Sequence, residues 1–230
     1  RRGPGTSAPT SSPTSATSPE RSLPRALTPF RHPAYRRLAV ALVLSTFAGG
    51  IWVVGLVWEV IRIGGGPGDL SLVTTAGAVG VLLPALLAGV VADRIPQKTI
   101  LLGVATLETV GMTVIALLSF ADLTQLWHLA VVTFAAGAGM AFYYPAYSAW
   151  LPALVPESDL MAVNGFEGMV RPTIGQAVGP GLAGVVVGLA LGSVSRWRRW
   201  PLASTVAALV AAYLLFGGVF ALRKTTIAGF

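Results

Sequence analysis

The sequence of 230 residues contains no cysteine and only two histidines, His32 and His128. The first absence excludes disulfides, thiolate zinc sites and a cysteine nucleophile. The second makes an imidazole-based metal site or catalytic triad improbable, because the two histidines lie in separate flanking segments. Charge is scarce as well. Asp, Glu, Lys and Arg together make up 11% of the chain, where soluble domains carry about 25%. No charged residue occurs between Leu70 and Ala92. A compact water-soluble globule needs more surface charge than this, so the chain reads as an integral membrane protein.

What is abundant is apolar: 54% of the residues are hydrophobic and the mean hydropathy is +0.72. From Leu38 onward, apolar runs alternate with short breaks. A helix needs about 20 residues to cross the hydrocarbon, and there the backbone must satisfy itself internally. The runs exceed strand length and lack the alternation of a membrane barrel. The sequence therefore predicts an all-α integral membrane domain over residues 30–224. Its six transmembrane helices are expected at about 38–63, 70–92, 99–121, 126–150, 160–191 and 201–222. Residues 1–29, rich in Ser, Thr, Pro and Gly, are expected to be a disordered tail. They lack the apolar stretch of a signal peptide. Residues 225–230 form a short second tail.

The formal charge is +7, yet the basic residues form no single stripe suited to nucleic acid. They gather at the ends of apolar runs, where anionic lipid heads would meet them. The flank bearing Arg21, Arg25, Arg31, Arg36 and Arg37 falls on the same side as Arg94 and Lys98, and as Arg223 and Lys224. The positive-inside rule makes that side cytoplasmic, giving a multi-pass plasma-membrane protein with its amino terminus inside. Arg196, Arg198 and Arg199 break the pattern, since they fall on the outer side.

The break after the second run reads GVVADRIPQK, Gly89 to Lys98. By itself it fits a short polar loop. Its spacing, however, puts Gly89 and Asp93 on one helical face, where a glycine permits close helix approach beside a carboxylate. The stretch resembles the signature G-x-x-x-[DE]-[RK]-x-G-x-[RK]-[RK] of the major facilitator superfamily. Gly89, Asp93, Arg94 and Lys98 match, and Pro96 replaces the usual loop glycine. Pro145 to Gly165, PAYSAWLPALVPESDLMAVNG, is similar to the fourth-to-fifth connection of enterobactin-exporter-like members. There Pro152 and Pro156 end one helix, and Glu157 or Ser158 is expected to cap the next. Gly175 to Gly184, GQAVGPGLAG, resembles the fifth-helix antiporter motif G-x-x-x-G-P-x-x-G-G through Gly175, Gly179, Pro180 and Gly184, with Ala183 in place of a glycine. The residues alone predict small-residue helix packing, with a kink or hinge at Pro180.

The resemblance implies the amino-terminal six-helix half of a secondary transporter from the exporter branch. Asp93 and Arg94 would belong to a cytoplasmic gate, and the glycine strip to a helix interface that favours export. Small-molecule substrate, membrane lipid and a second six-helix half or partner chain are the implied partners, with no cofactor. The fourth run lacks the Arg that many proton-driven drug exporters carry there, so the resemblance supplies no proton-antiport residue at that place.

Ionisable residues inside spans are costly and mark functional candidates. Glu108 lies midway along the third run, with no partner on its own helix, and is a candidate for proton or substrate coupling. Glu167 and Arg171 are four residues apart, which fits either a self-neutralising ion pair or a coupling role. Glu59, near Arg62, is expected at the interface. Phe142, Tyr143 and Tyr147 either line a cavity for an amphipathic substrate or simply pack. The predicted function is export of a small amphipathic molecule, siderophore or drug-like, by alternating access. A truncated or non-transporting membrane scaffold is the alternative. No Ser/His/Asp set, metal-ligand spacing or phosphate-cradling loop suggests an enzyme.

Overall fold

The computed structural model describes residues 25–192, and among them every regular element is helical. A 3-10 helix, Arg25–Arg31, leads into α1 (Pro33–Arg62). There follow α2 (Pro67–Arg94), α3 (Gln97–Phe120) and α4 (Leu126–Trp150), the last continued by a 3-10 turn, Leu151–Ala153. The chain then forms α5 (Glu157–Val170), a π-helical segment (Arg171–Val178) and α6 (Gly179–Gly192).

Four of these helices are long and apolar enough to cross a membrane: α1, α2, α3 and α4 through Ala153. The six expected spans are therefore not all present as such. The fifth stretch, 160–191, is cut into two 14-residue helices by the π segment. The expected sixth, 201–222, lies outside the described residues, as do Arg196, Arg198, Arg199 and the tail at 225–230. Residues 25–29, read from sequence as tail, belong to the first 3-10 helix, which packs on α5 through an edge-to-face contact of Phe30 with Phe166.

Turn chemistry explains where the helices stop. In α1 the Gly64 N–H donates to Ile61 O and the Gly65 N–H to Val60 O, with Gly64 at φ +81°. That is the paired closure in which a left-handed residue follows the helix. Pro67 then opens α2, needing no N–H partner in the first turn, and Asp69 Oδ2 accepts from Gly66 N–H at 2.8 Å. In α3 the same closure recurs: Asp122 N–H donates to Ser119 O and Leu123 N–H to Leu118 O, with Asp122 itself at φ 55°. Asp tolerates this conformation better than most residues. At α5 the cap residue is Pro156 rather than the expected Glu157 or Ser158; Glu157 and Asp159 instead sit in the first turn, where carboxylates favour the helix dipole.

The π segment has a sequence cause. Pro180 has no N–H, and its ring crowds the carbonyl four residues earlier. Just before it, the Gly179 N–H reaches back five residues to Ile174 O, the wider π register. The irregularity expected at Pro180 is thus spread over the preceding two turns.

Packing joins the helices in two close pairs. Along α2 and α4, a Cβ added to Gly80 would collide with the Phe134 carbonyl, and one added to Gly137 with the Gly77 carbonyl. Along α1, a Cβ on Gly50 would stand 2.6 Å from Gly175 O and 2.8 Å from Pro180 Cδ. Gly179 approaches Gly50 Cα and Phe47 O equally closely, at 3.0 Å from its own added Cβ. Backbone meets backbone at both crossings, the arrangement small residues permit inside a bilayer. Between the pairs, larger side chains fill three clusters. Tyr35, Leu101, Tyr147, Trp150 and Val163 pack at the end bearing His32; Ile51, Met112 and Ala183 pack midway; Leu56, Val60, Val73, Ile115 and Leu129 pack at the end bearing Arg62. Outside the core, α2 exposes Leu82, Leu83, Leu87 and Val90, with Leu86 at 88%.

Gly80→Ala should lower stability in detergent by roughly 1–3 kcal/mol, the usual cost of overpacking. Gly103→Ala, whose Cβ would meet nothing within 4 Å, should be neutral or stabilising by up to about 1 kcal/mol. Thermal unfolding of the two variants side by side checks the assignment. Equal effects would mean that the α2–α4 crossing is not tight.

Candidate functional site

Near the His32 end, α4 and α5 place several of the expected residues together. Glu167 is buried on α5 and accepts a hydrogen bond from Tyr147 Oη on α4, itself only 4% exposed. Arg171 Nη2 lies 3.5 Å from the other carboxylate oxygen, so the expected i,i+4 pair does form. The guanidinium also sits 5.3 Å from the ring centroid of Tyr144, a cation–π contact across the two helices. Tyr143 stacks on Tyr147 at 5.4 Å and meets Tyr144 edge-on at 5.7 Å.

The bilayer explains this concentration of contacts. A buried carboxylate needs both a counter-charge and hydrogen-bond donors, and here Arg171 supplies the first and Tyr147 the second. Tyr35, on α1, brings a further hydroxyl: it is fully buried in the same cluster as Tyr147 and has no hydrogen-bond partner among the described residues. Glu108, on α3, is half-buried and makes no ion pair among the described residues. Phe142 packs with Tyr143 against the hydrophobic cluster at the His32 end. Chemically the group offers the Glu167 carboxylate, one guanidinium, a spare hydroxyl at Tyr35 and several aromatic faces.

The other expected residues lie elsewhere. Asp93 and Arg94 are exposed at the carboxyl end of α2, and Lys98 is half-buried in the first turn of α3. Gly89 has open space around it: a Cβ there would meet nothing within 4 Å among the described residues. The close approach expected at Gly89 occurs instead at Gly77 and Gly80 on the same helix. Gly175, Gly179 and Pro180 make the expected interface, and its partner is α1 at Gly50, while Gly184 faces open space. The Thr46-x-x-x-Gly50 spacing on α1, mirroring Gly175-x-x-x-Gly179, was the available signal for that partner.

A second polar group, at the Arg62 end, was largely missed. Glu59 is 2% exposed, so its carboxylate is enclosed by protein in the last turn of α1. Arg62 grips it with two bonds, Nε to Oε2 at 3.0 Å and Nη2 to Oε1 at 2.6 Å. Ser119 Oγ donates to the same Oε2 at 3.0 Å, and Arg62 Nη1 donates to Asp122 Oδ1 at 2.8 Å. The left-handed turn closing α3 is what carries Asp122 to that place. Only the short sequence distance between Glu59 and Arg62 hinted at this group.

Comparison with known proteins adds the following. The family described as transmembrane secretion effector matches residues 24–214. Macrolide efflux protein A of Enterococcus faecalis is 30% identical over 98 residues, covering 43% of this chain and 30% of that protein. The protein of the same name from Streptococcus pyogenes is 30% identical over 98 residues, covering 24% of its own length. The multidrug efflux pump Tap of Mycolicibacterium fortuitum is 26% identical over 168 residues, 70% of this chain and 40% of the pump. The chain thus spans less than half the length of these relatives.

Removing the donor from the buried carboxylate gives a direct check on the α4–α5 contact. Tyr147→Phe should destabilise the detergent-solubilised protein by roughly 1.5–3 kcal/mol, as expected for a hydrogen bond to a charged group. In a cycle with Glu167→Gln, the coupling should be of order 0.5–3 kcal/mol. Additive losses would show that the hydroxyl and the carboxylate do not act on one another.

Proposed function

Since this chain belongs to the transmembrane secretion effector family of the major facilitator superfamily, we propose that it forms the amino-terminal half of an exporter. The exporter carries a small amphipathic molecule by alternating access. The observation that carries the reading is the match over residues 24–214 together with efflux proteins as relatives. The bundle supports it chemically: the Tyr144–Tyr147–Glu167–Arg171 group combines aromatic faces with both signs of charge. An amphipathic molecule needs both. The Tyr35 hydroxyl, without a hydrogen-bond partner among the described residues, and the half-buried Glu108 add polar capacity.

In this reading the chain crosses the plasma membrane six times, with its amino terminus in the cytoplasm. The fifth crossing is the α5–π–α6 run. Its 36 residues, Glu157 to Gly192, suffice in length even though neither 14-residue piece does alone. Asp93, Arg94 and Lys98 then stand at the cytoplasmic face and serve the gate. Gly175, Gly179 and Pro180 hold the fifth crossing on α1. A second six-helix half, whether from the same reading frame or another chain, completes the pathway, with substrate between the halves near the midplane. The relatives' names suggest macrolides and other drugs as first substrates to try, with siderophores as a further class.

Efflux from vesicles containing the protein together with its carboxyl-terminal half, in the presence and absence of a proton gradient, tests the proposal. Export of a macrolide or lipophilic drug is expected. Asp93→Asn should abolish most of it while insertion stays normal. Glu108→Gln should flatten the pH dependence of the rate, and a variant rate equal to the native rate at every pH would remove Glu108 from coupling. If none of the three compound classes moves, the exporter reading fails.

A further inference from the structure

The packing divides the described helices into two groups. α2 lies along α4 through Gly77, Gly80 and Gly137, and α3 packs on α4; α1 lies along the π segment and α6 through Gly50, Gly175 and Gly179, and α5 runs on into that same segment. Contact of α1 with α2 and α3 is sparse by comparison. Within each group, neighbours are locked at glycine crossings, where any sliding brings backbone against backbone. Across the seam between the groups, contact is made by flexible side chains, among them Met112, Leu56 and Ile115. Side chains can change rotamer and repack, whereas a glycine crossing cannot.

Two polar bridges cross that same seam at its opposite ends. At the His32 end, α4 meets α5 through Tyr147–Glu167 and Tyr144–Arg171. At the Arg62 end, α1 meets α3 through Ser119–Glu59 at 3.0 Å and Arg62–Asp122 at 2.8 Å. The second bridge is graded in burial: Glu59 lies inside, Arg62 spans the boundary, and Asp122 is 70% exposed at the mouth. All three guanidinium nitrogens are used, two on α1's own Glu59 and one on Asp122. Losing Asp122 therefore leaves Glu59 neutralised within its own helix. The cross-seam half of the bridge can open without stranding a buried charge, the step that would otherwise be prohibitive.

We propose that Glu59, Arg62, Ser119 and Asp122 form a releasable clamp that holds the seam between the α1–α5–α6 and α2–α3–α4 groups closed at the Arg62 end. Arg62 stays with Glu59 and exchanges Asp122 for water when the clamp opens. Placing that opening within a transport cycle, as a motion inside one half of the exporter, rests on the reading given above. The clamp itself does not.

The test exploits the lack of cysteine, which leaves engineered cysteines as the only labelling sites. Spin labels at Ile61→Cys on α1 and Leu123→Cys beyond α3 report the Arg62 end; labels at Met161→Cys on α5 and Thr99→Cys on α3 report the other. Distances are measured by pulsed electron resonance on the full chain in lipid vesicles, for the native clamp, for Asp122→Asn, and for Glu59→Leu with Arg62→Met. The apolar pair fills the same space without a buried charge, so it keeps the experiment decisive if a single charge removal fails to fold. The clamp predicts a longer or broader 61–123 distance in both variants, by on the order of 2 Å or more, with the 161–99 distance unchanged. An unchanged 61–123 distance, or equal loosening at both ends, overturns it. Efflux measured on the same variants in the presence of the carboxyl-terminal half separates the two ideas: no efflux with the native sequence counts against the exporter reading alone, while the distances still decide the clamp.

Discussion

Hydrocarbon offers no water, so helices inside it gain little by hiding apolar surface from one another. What holds this bundle together is therefore fit, and the fit is made by glycines. At Gly80 against the Phe134 carbonyl, and at Gly50 against the Gly175 carbonyl, the backbones come so near that no side chain could stand between them. Close approach multiplies dispersion contacts that are individually tiny. It also fixes which helices move together, because a crossing with no side chains has no alternative packing. The assignment of α2 to α4, and of α1 to α6, follows from these two crossings.

The same dry medium governs the few charges. A carboxylate at bilayer depth must find a cation and donors within reach. Glu59 and Glu167 solve the problem in parallel ways: each takes an arginine from its own helix, three or four residues on, and a hydroxyl from a neighbouring helix. The intrahelical arginine keeps the charge neutral whatever the neighbour does. The hydroxyl reports whether the neighbour is present. Such a division suits a bundle whose helix groups shift, because a bridge made only of an interhelical ion pair would cost too much to part.

Much of this was legible in the sequence. Four spans were found within a few residues of their ends, because charge-free runs and breaks such as GGGPGD leave little choice. The Glu167–Arg171 pair and the interface at Gly175 and Gly179 were visible from spacing alone. Three things were not. Gly89 matched a family pattern yet has open space around it, while Gly77, Gly80 and Gly137, matching no pattern considered, make the tightest crossing. Spacing says that a glycine could be approached but not which neighbour arrives. The place of Asp122 was not legible either, because the left-handed turn that aims it at Arg62 depends on how α3 closes. And the break in the fifth stretch was expected as a kink at Pro180, whereas the structure relieves it over the eight residues before Gly179.

That displacement of the irregularity has a consequence for the site. A sharp kink at Pro180 would have put the bend in the middle of the contact with Gly50 and loosened it. Spreading the irregularity back to Arg171 leaves Gly179 and Pro180 closely seated on α1 and puts the wide π turns soon after Glu167. π segments are commoner at functional positions than in ordinary helices, and here the placement separates two duties of one helix. The part after Val178 anchors to α1; the part before Arg171 presents its carboxylate to Tyr147.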